Sequence, residues 1–151
     1  MKDERYGNRD LSYSSWHRVG SIQRYVGLEK AQSLTMFDVD AMPWVETAEY
    51  GKTPVAFIET AIDVGQTDKK TYIGVVGKLA DMPAYVVLYK LAESSNPASP
   101  QWSDIESFRV KELYPNKDPS WKWMSAGEYA NWLFSSRSKW IERMSKRLSS
   151  P

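Results

Sequence analysis

The stretch from Val55 to Leu91 constrains this chain more than any other. Over Val55–Val64, Ala56, Ile58, Thr60 and Ile62 fall on one side and Phe57, Glu59, Ala61 and Asp63 on the other. That two-residue period is the signature of a β-strand. Gly65 closes the strand, and Thr67 or Asp68 stands where a helix cap belongs. Tyr72, Val75, Val76, Leu79 and Ala80 then recur at helical spacing to about Met82. Pro83 stops the helix, and Ala84–Leu91 is almost continuously apolar, as a strand buried on both faces would be. Two strands joined by a helix of this length make a right-handed crossover and lie parallel. The spacing therefore predicts an α/β protein with a mixed sheet.

The remaining segments arrange themselves around that unit. Residues 1–14 are polar and rich in turn formers and are expected to be a loose arm. Ser21–Gln32 has a helical pattern interrupted by Gly27, and Ser33–Ala41 reads as a strand. Trp44–Tyr50 is a second strand, expected to turn at Gly51-Lys52. The Ser/Pro/Asn composition of Ser94–Ser103 predicts a surface loop. Ile105–Leu113 is one more strand near an edge, and Asn116–Trp123 is irregular. Ser125 and Glu128 form a capping box. It starts a long helix with Tyr129, Trp132, Leu133, Trp140, Met144 and Leu148 on one face. The expected organisation is an arm (1–14), an α/β core (15–114), and a Trp-rich loop followed by a basic amphipathic helix (115–151).

Composition limits the chemistry. There is no Cys and one His among 151 residues, which excludes disulfides, cysteine zinc sites, a thiol nucleophile and histidine-cluster metal sites. Metal chemistry must then rest on carboxylates, which select hard ions such as magnesium, manganese or calcium. The net charge of +1 conceals an uneven distribution. Residues 32–65 carry six acids and one base, whereas residues 121–151 carry six bases and two acids. The polar start is not expected to be a signal peptide, and no apolar run is long enough to span a membrane.

The acids cluster. Asp38 and Asp40 share a strand face, as do Glu59 and Asp63. Gathered carboxylates repel unless a cation lies between them. One Asp and one Glu from neighbouring strands, with a carbonyl and water, make a reasonable magnesium site. The plainer reading has Asp38 and Asp40 facing solvent and Glu59 paired with Lys69 or Lys70. His17 and Arg18 are either phosphate contacts or surface groups. Arg137, Lys139, Arg143, Lys146 and Arg147, with the clustered Trp, would either track a nucleic-acid backbone or form the solvated side of an amphipathic helix. Gly51-Lys52-Thr53 lacks the upstream glycine of a phosphate-binding loop. Gly74-Val-Val-Gly77 is not a dinucleotide fingerprint and is expected to bring its helix close to the sheet.

Asp38-Val-Asp40, the hairpin with Trp44 and Glu46, Pro54-Val-Ala-Phe-Ile-Glu59-Thr-Ala61, the helix, and Pro83-Ala-Tyr-Val-Val-Leu-Tyr89 together resemble the PD-(D/E)XK nuclease superfamily. The resemblance covers roughly residues 15–91. It implies a restriction-endonuclease-like αβββαβ core, extended here by a strand and a long C-terminal helix. It also implies a metal-dependent DNA phosphodiesterase in which Asp40 (or Asp38) and Glu59 bind magnesium or manganese. The family's lysine would fall at position 61, where this chain has Ala61. Lys69 or Lys70 would then activate the water, or Gln66 would hold it, and His17 and Arg18 would touch phosphate. The alternative is an inactive nuclease-fold module, such as a phage structural or regulatory component, with the Trp-rich region as a protein interface. Nucleic acid, a protein partner or a second copy are the expected partners. The bacterial cytoplasm, or a virion, is the expected location.

Overall fold

The computed structural model describes residues 19–34, 40–69, 71–118 and 120–149. His17, Arg18, Asp38, Lys70, the expected arm and most of the expected 33–41 strand lie outside them. The chain divides into two compact units, residues 1–38 and 39–151.

In the first unit, α1 (Val19–Val26) and α2 (Leu28–Ser33) replace the single helix expected from the periodicity. Gly27 separates them at φ 86°, in the left-handed region that other residues avoid.

The second unit opens at Ala41, which forms an isolated antiparallel bridge with Ile58. β1 (Trp44–Thr47) and β2 (Gly51–Pro54) make a small antiparallel sheet. Their turn falls at 48–50, earlier than expected, and Gly51 at φ 71° begins the return strand. The main sheet has the order β3-β4-β5-β6, from β3 (Phe57–Ile62), β4 (Ala84–Asn96), β5 (Ser99–Tyr114) and β6 (Lys122–Ser125). β3 and β4 are parallel and are joined through α3 (Ile73–Ala80), so the crossover reading holds. The other pairs are antiparallel, which makes the sheet mixed.

One expectation about this sheet is corrected. Ser94–Ser103 is not a loop, because β4 and β5 continue as a long hairpin until Asn96 meets Ser99. Backbone ladder bonds hold this extension, and Glu93, Ser94, Ser95 and Ser103 are exposed, so composition does not reveal it. The Ile105–Leu113 segment lies near an edge, as expected. β6 pairs with Ser107–Val110 and takes the edge itself. The polar character of Lys122 and Ser125 suits an edge strand and hides it from a search for apolar runs.

The alternation predicted for β3 sorts the core into two layers. Ile58, Tyr85, Val87 and Val110 pack with Val45, Val55, Ala56 and Trp140 on one face. Phe57, Ala84, Val86 and Leu88 pack with Ile73 on the other. The first face is covered by α4 (Ala126–Ser149), whose Tyr129, Trp132, Leu133 and Met144 join Trp140 there, while Leu148 stays exposed. The capping box forms as read. Glu128 N donates to Ser125 Oγ at 3.1 Å, and Ser125 N donates to Glu128 Oε1 at 3.0 Å. Among the described residues no helix is long and apolar enough to cross a membrane.

Candidate functional site

The site grows out of the free edge of β3. One edge of this strand pairs with β4, so the other must satisfy its backbone groups elsewhere. Ile58 exchanges both backbone bonds with Ala41, at 2.9 and 3.0 Å. The next donor, Thr60 N, is taken by Asp40 Oδ2 at 2.9 Å. Thr60 O accepts from Lys69 Nζ at 3.3 Å, and Ile62 O accepts from Gln66 Nε2 at 3.1 Å. Asp40, Lys69 and Gln66 thus finish a strand edge, and of the three Lys69 also reaches Glu59.

Glu59 lies on the sheet face shared with Phe57 and Ala61. Its Oε1 is 3.2 Å from Lys69 Nζ, with both side chains about a quarter exposed. Its Oε2 is buried and has no partner. A carboxylate oxygen in that state is costly unless something positive satisfies it. Lys69 was expected at the start of the following helix. It lies instead in the loop ahead of α3, where its N–H donates to Asp68 Oδ1 at 2.8 Å. Thr67 and Asp68 do not cap the helix. Thr71 Oγ1 accepts from Ile73 N at 3.1 Å at its start.

Strand register extends this face. Glu59, Val86 and Lys111 form one row, and Ala61, Leu88, Arg109 and Trp123 form the next. Lys111 Nζ is 3.6 Å from Asp68 Oδ1 and 5.5 Å from the Trp121 ring centre. Arg109 is buried. Its Nε donates to Asp63 Oδ2 at 2.8 Å, a second bond joins Nη2 to Oδ1, and its guanidinium lies 4.9 and 5.0 Å from the ring centres of Trp121 and Trp123. The hydrogen bond from Arg109 holds the Asp63 carboxyl below its ordinary range. Glu59 and Asp63 therefore do not share a cation, since Asp63 is already neutralised by Arg109. Sequence reading missed Arg109, which lies 46 residues away and carries no local motif.

The other sequence candidates separate. Gln66 braces its own loop, accepting from Val64 N at 2.7 Å, so it does not serve as a free water holder. Arg143 Nη2 is bonded to Asp81 and to Tyr114 Oη, and Arg147 Nε is 4.0 Å from the same Asp81. The i,i+4 pair expected on a phosphate backbone thus converges on a carboxylate at the end of α3. Tyr114 and Arg143 hold the Asp81 carboxyl below its ordinary range. Arg137 and Lys139 are exposed on α4, and Lys146 pairs with Glu142 at 3.1 Å. Of the clustered Trp, Trp132 and Trp140 belong to the core, and Trp102 and Trp123 are exposed.

Among the described residues no three His, Asp or Glu side chains assemble as a metal cluster. What β3 offers is two carboxylates, Asp40 and Glu59, and the Thr60 carbonyl. All are hard oxygen donors of the kind that suit magnesium, which keeps several of its waters. The unsatisfied Glu59 Oε2 fits the same class of ion. Compared with known proteins, the chain matches no family model, no curated protein and no solved structure.

Proposed function

We propose that the chain is a metal-dependent phosphodiesterase acting on DNA, with a core of the PD-(D/E)XK type. The observation that carries this reading is Glu59, whose Oε2 is buried without a partner while Lys69 pairs with its Oε1, a pair the plainer reading also expects. Ala61 removes the lysine that the motif would supply, yet an ammonium still stands 3.2 Å from Glu59, reaching in from the loop. The β3–α3–β4 crossover, with Asp40 one residue from Glu59 across the strand edge, also supports it.

Asp40 and Glu59 would hold magnesium or manganese, with Asp38 assisting. The bound metal would lower the pKa of a water and stabilise the departing oxygen. Lys69, or Lys70, would donate to that water and orient it.

Asp40 also caps the β3 edge, so the test must spare the fold. Asp40→Asn keeps an oxygen for Thr60 N, and Glu59→Gln keeps the side chain's volume. The wild-type chain should cleave at least one of single-stranded, duplex or branched DNA in magnesium or manganese. Both variants should lose cleavage while melting like wild type. Lys69→Met should slow cleavage by about 100-fold or more, the usual range for a group that assists proton transfer. If the folded wild-type chain cleaves none of these substrates, or Glu59→Gln keeps its rate, the catalytic reading fails and a binding or assembly module remains.

A further inference from the structure

We propose that the opposite face of the sheet carries a nucleotide-binding pocket between β4, β5, β6 and α4. It uses neither Asp40 nor Glu59 and does not depend on the nuclease reading.

The pocket is a cavity of about 350 Å³, a size typical of small-ligand sites. Strand register shows why its walls meet. Tyr85 pairs with Glu112, and Val110 with Lys122, so all four lie on the face covered by α4. From the helix come Trp132, Lys139 and Arg143. Three cations thus surround one carboxylate.

These groups have capacity left over. Lys139 is exposed and pairs with no carboxylate among the described residues. Arg143 spends Nη2 on Asp81 and Tyr114, but its Nε is buried without a partner. The Tyr85 hydroxyl accepts from Trp140 Nε1 at 2.9 Å and turns its own proton toward Glu112, so it braces the pocket wall rather than offering a spare donor. Burial pushes the Tyr85 pKa up to about 12, so that proton is retained at neutral pH. Glu112 Oε2 accepts from Asn116 N at 3.1 Å, and the carboxylate has further acceptor positions. Trp132, stacked on Tyr129 and edge to face with Tyr85 and Trp140, adds an apolar wall held in place by those rings.

A simple anion would satisfy the cations but meet repulsion from Glu112. An apolar ring would leave the cations and Arg143 Nε unanswered. A nucleotide answers each group. Its phosphate suits Lys122, Lys139 and Arg143, its amino or hydroxyl donors suit Glu112, and its base suits Trp132. The nucleotide is either free or the end of a strand.

Trp132 and Trp140 line the cavity, so their emission reports occupancy. The full chain is titrated in the presence of a chelator with adenosine monophosphate, adenosine, inorganic phosphate and a short single-stranded oligodeoxynucleotide. Adenosine monophosphate or the oligonucleotide should bind saturably, with adenosine and phosphate each weaker by about tenfold or more, as the loss of one charge-assisted contact implies. Saturation by the mononucleotide identifies a free-nucleotide pocket, and saturation by the oligonucleotide alone identifies a strand end. Lys139→Ala should weaken binding by about fivefold to tenfold with an unchanged melting curve. Ser136→Trp, which fills the cavity, should abolish it. Glu59→Gln should bind like wild type, so loss of cleavage and loss of this site are told apart. The proposal is overturned if neither nucleotide probe saturates, if phosphate binds as tightly as adenosine monophosphate, or if both Lys139→Ala and Ser136→Trp bind like wild type.

Discussion

Arg109 and Glu59 sit in adjacent rows of one sheet face and meet opposite fates. Arg109 has a carboxylate gripping two of its nitrogens and two indole ring centres, of Trp121 and Trp123, 4.9 and 5.0 Å from its guanidinium. Removing a partner from a buried ion pair leaves the other charge stranded. Asp63→Ala should therefore destabilise the protein by about 3 kcal/mol, and Asp63→Leu combined with Arg109→Met should recover much of that loss. Urea unfolding of the singles and the double measures the coupling, and strictly additive losses would show that the pair is not coupled. In the sequence Asp63 and Glu59 look alike, two acids on one strand face. The face was readable because alternation fixes it. The partner of Asp63 was not, because register between distant strands brings Arg109 to it. Lys69 was readable as a partner for Glu59 because the loop that carries it follows the same strand.

At the scale of elements, α3 lies against the sheet through Gly77. A Cβ built there would come within 2.7 Å of both Ala84 Cβ and Met82 O, so the contact admits no side chain. At Gly74 the nearest atom is Leu113 Cβ at 3.2 Å, which has to give by only a few tenths of an ångström. Gly77→Ala should cost about 1–3 kcal/mol through overpacking. Gly74→Ala should be close to neutral, because the gain in helix propensity of about 1 kcal/mol offsets the tighter contact. Thermal melts of the two variants check this, and equal melting temperatures would contradict the assigned packing. The same close approach made the Gly74/Gly77 spacing informative in the sequence. Elements with a buried face or a local motif were visible in this way: β3 by alternation, β4 by its apolar run, α4 by its capping box. The outer β4–β5 hairpin and β6 were not. Main-chain pairing specifies them, and most of their side chains are exposed, Met124 of β6 being the one that packs on the core, so polarity concealed them.

For the molecule as a whole, the titrating groups set the pH range of stability. Asp63 is held low by Arg109, Asp81 by Tyr114 and Arg143, Asp118 by Ser120, and Glu128 by Ser125. Each carboxyl therefore has a lower pKa folded than unfolded, where acids titrate near about 4. Such groups stabilise the fold fully above the unfolded value and lose that contribution as pH falls through the folded value. At the alkaline end, burial pushes Tyr85 and Tyr129 up to about 12. The unfolded phenols ionise near about 10, so their contribution is complete below that pH and is lost as pH rises through the folded value. The urea midpoint should therefore be flat between about pH 5 and 9, fall below about pH 4 and fall again above about pH 10. Asp63→Asn should have a lower plateau and a shallower acid limb, because its amide no longer titrates. A wild-type midpoint at pH 3 equal to that at pH 7 would mean that these carboxylates keep no special partners in solution. Because the acid limb belongs to paired structural carboxylates, it should persist in Glu59→Gln, which separates the stability of the fold from the chemistry proposed for its β3 edge.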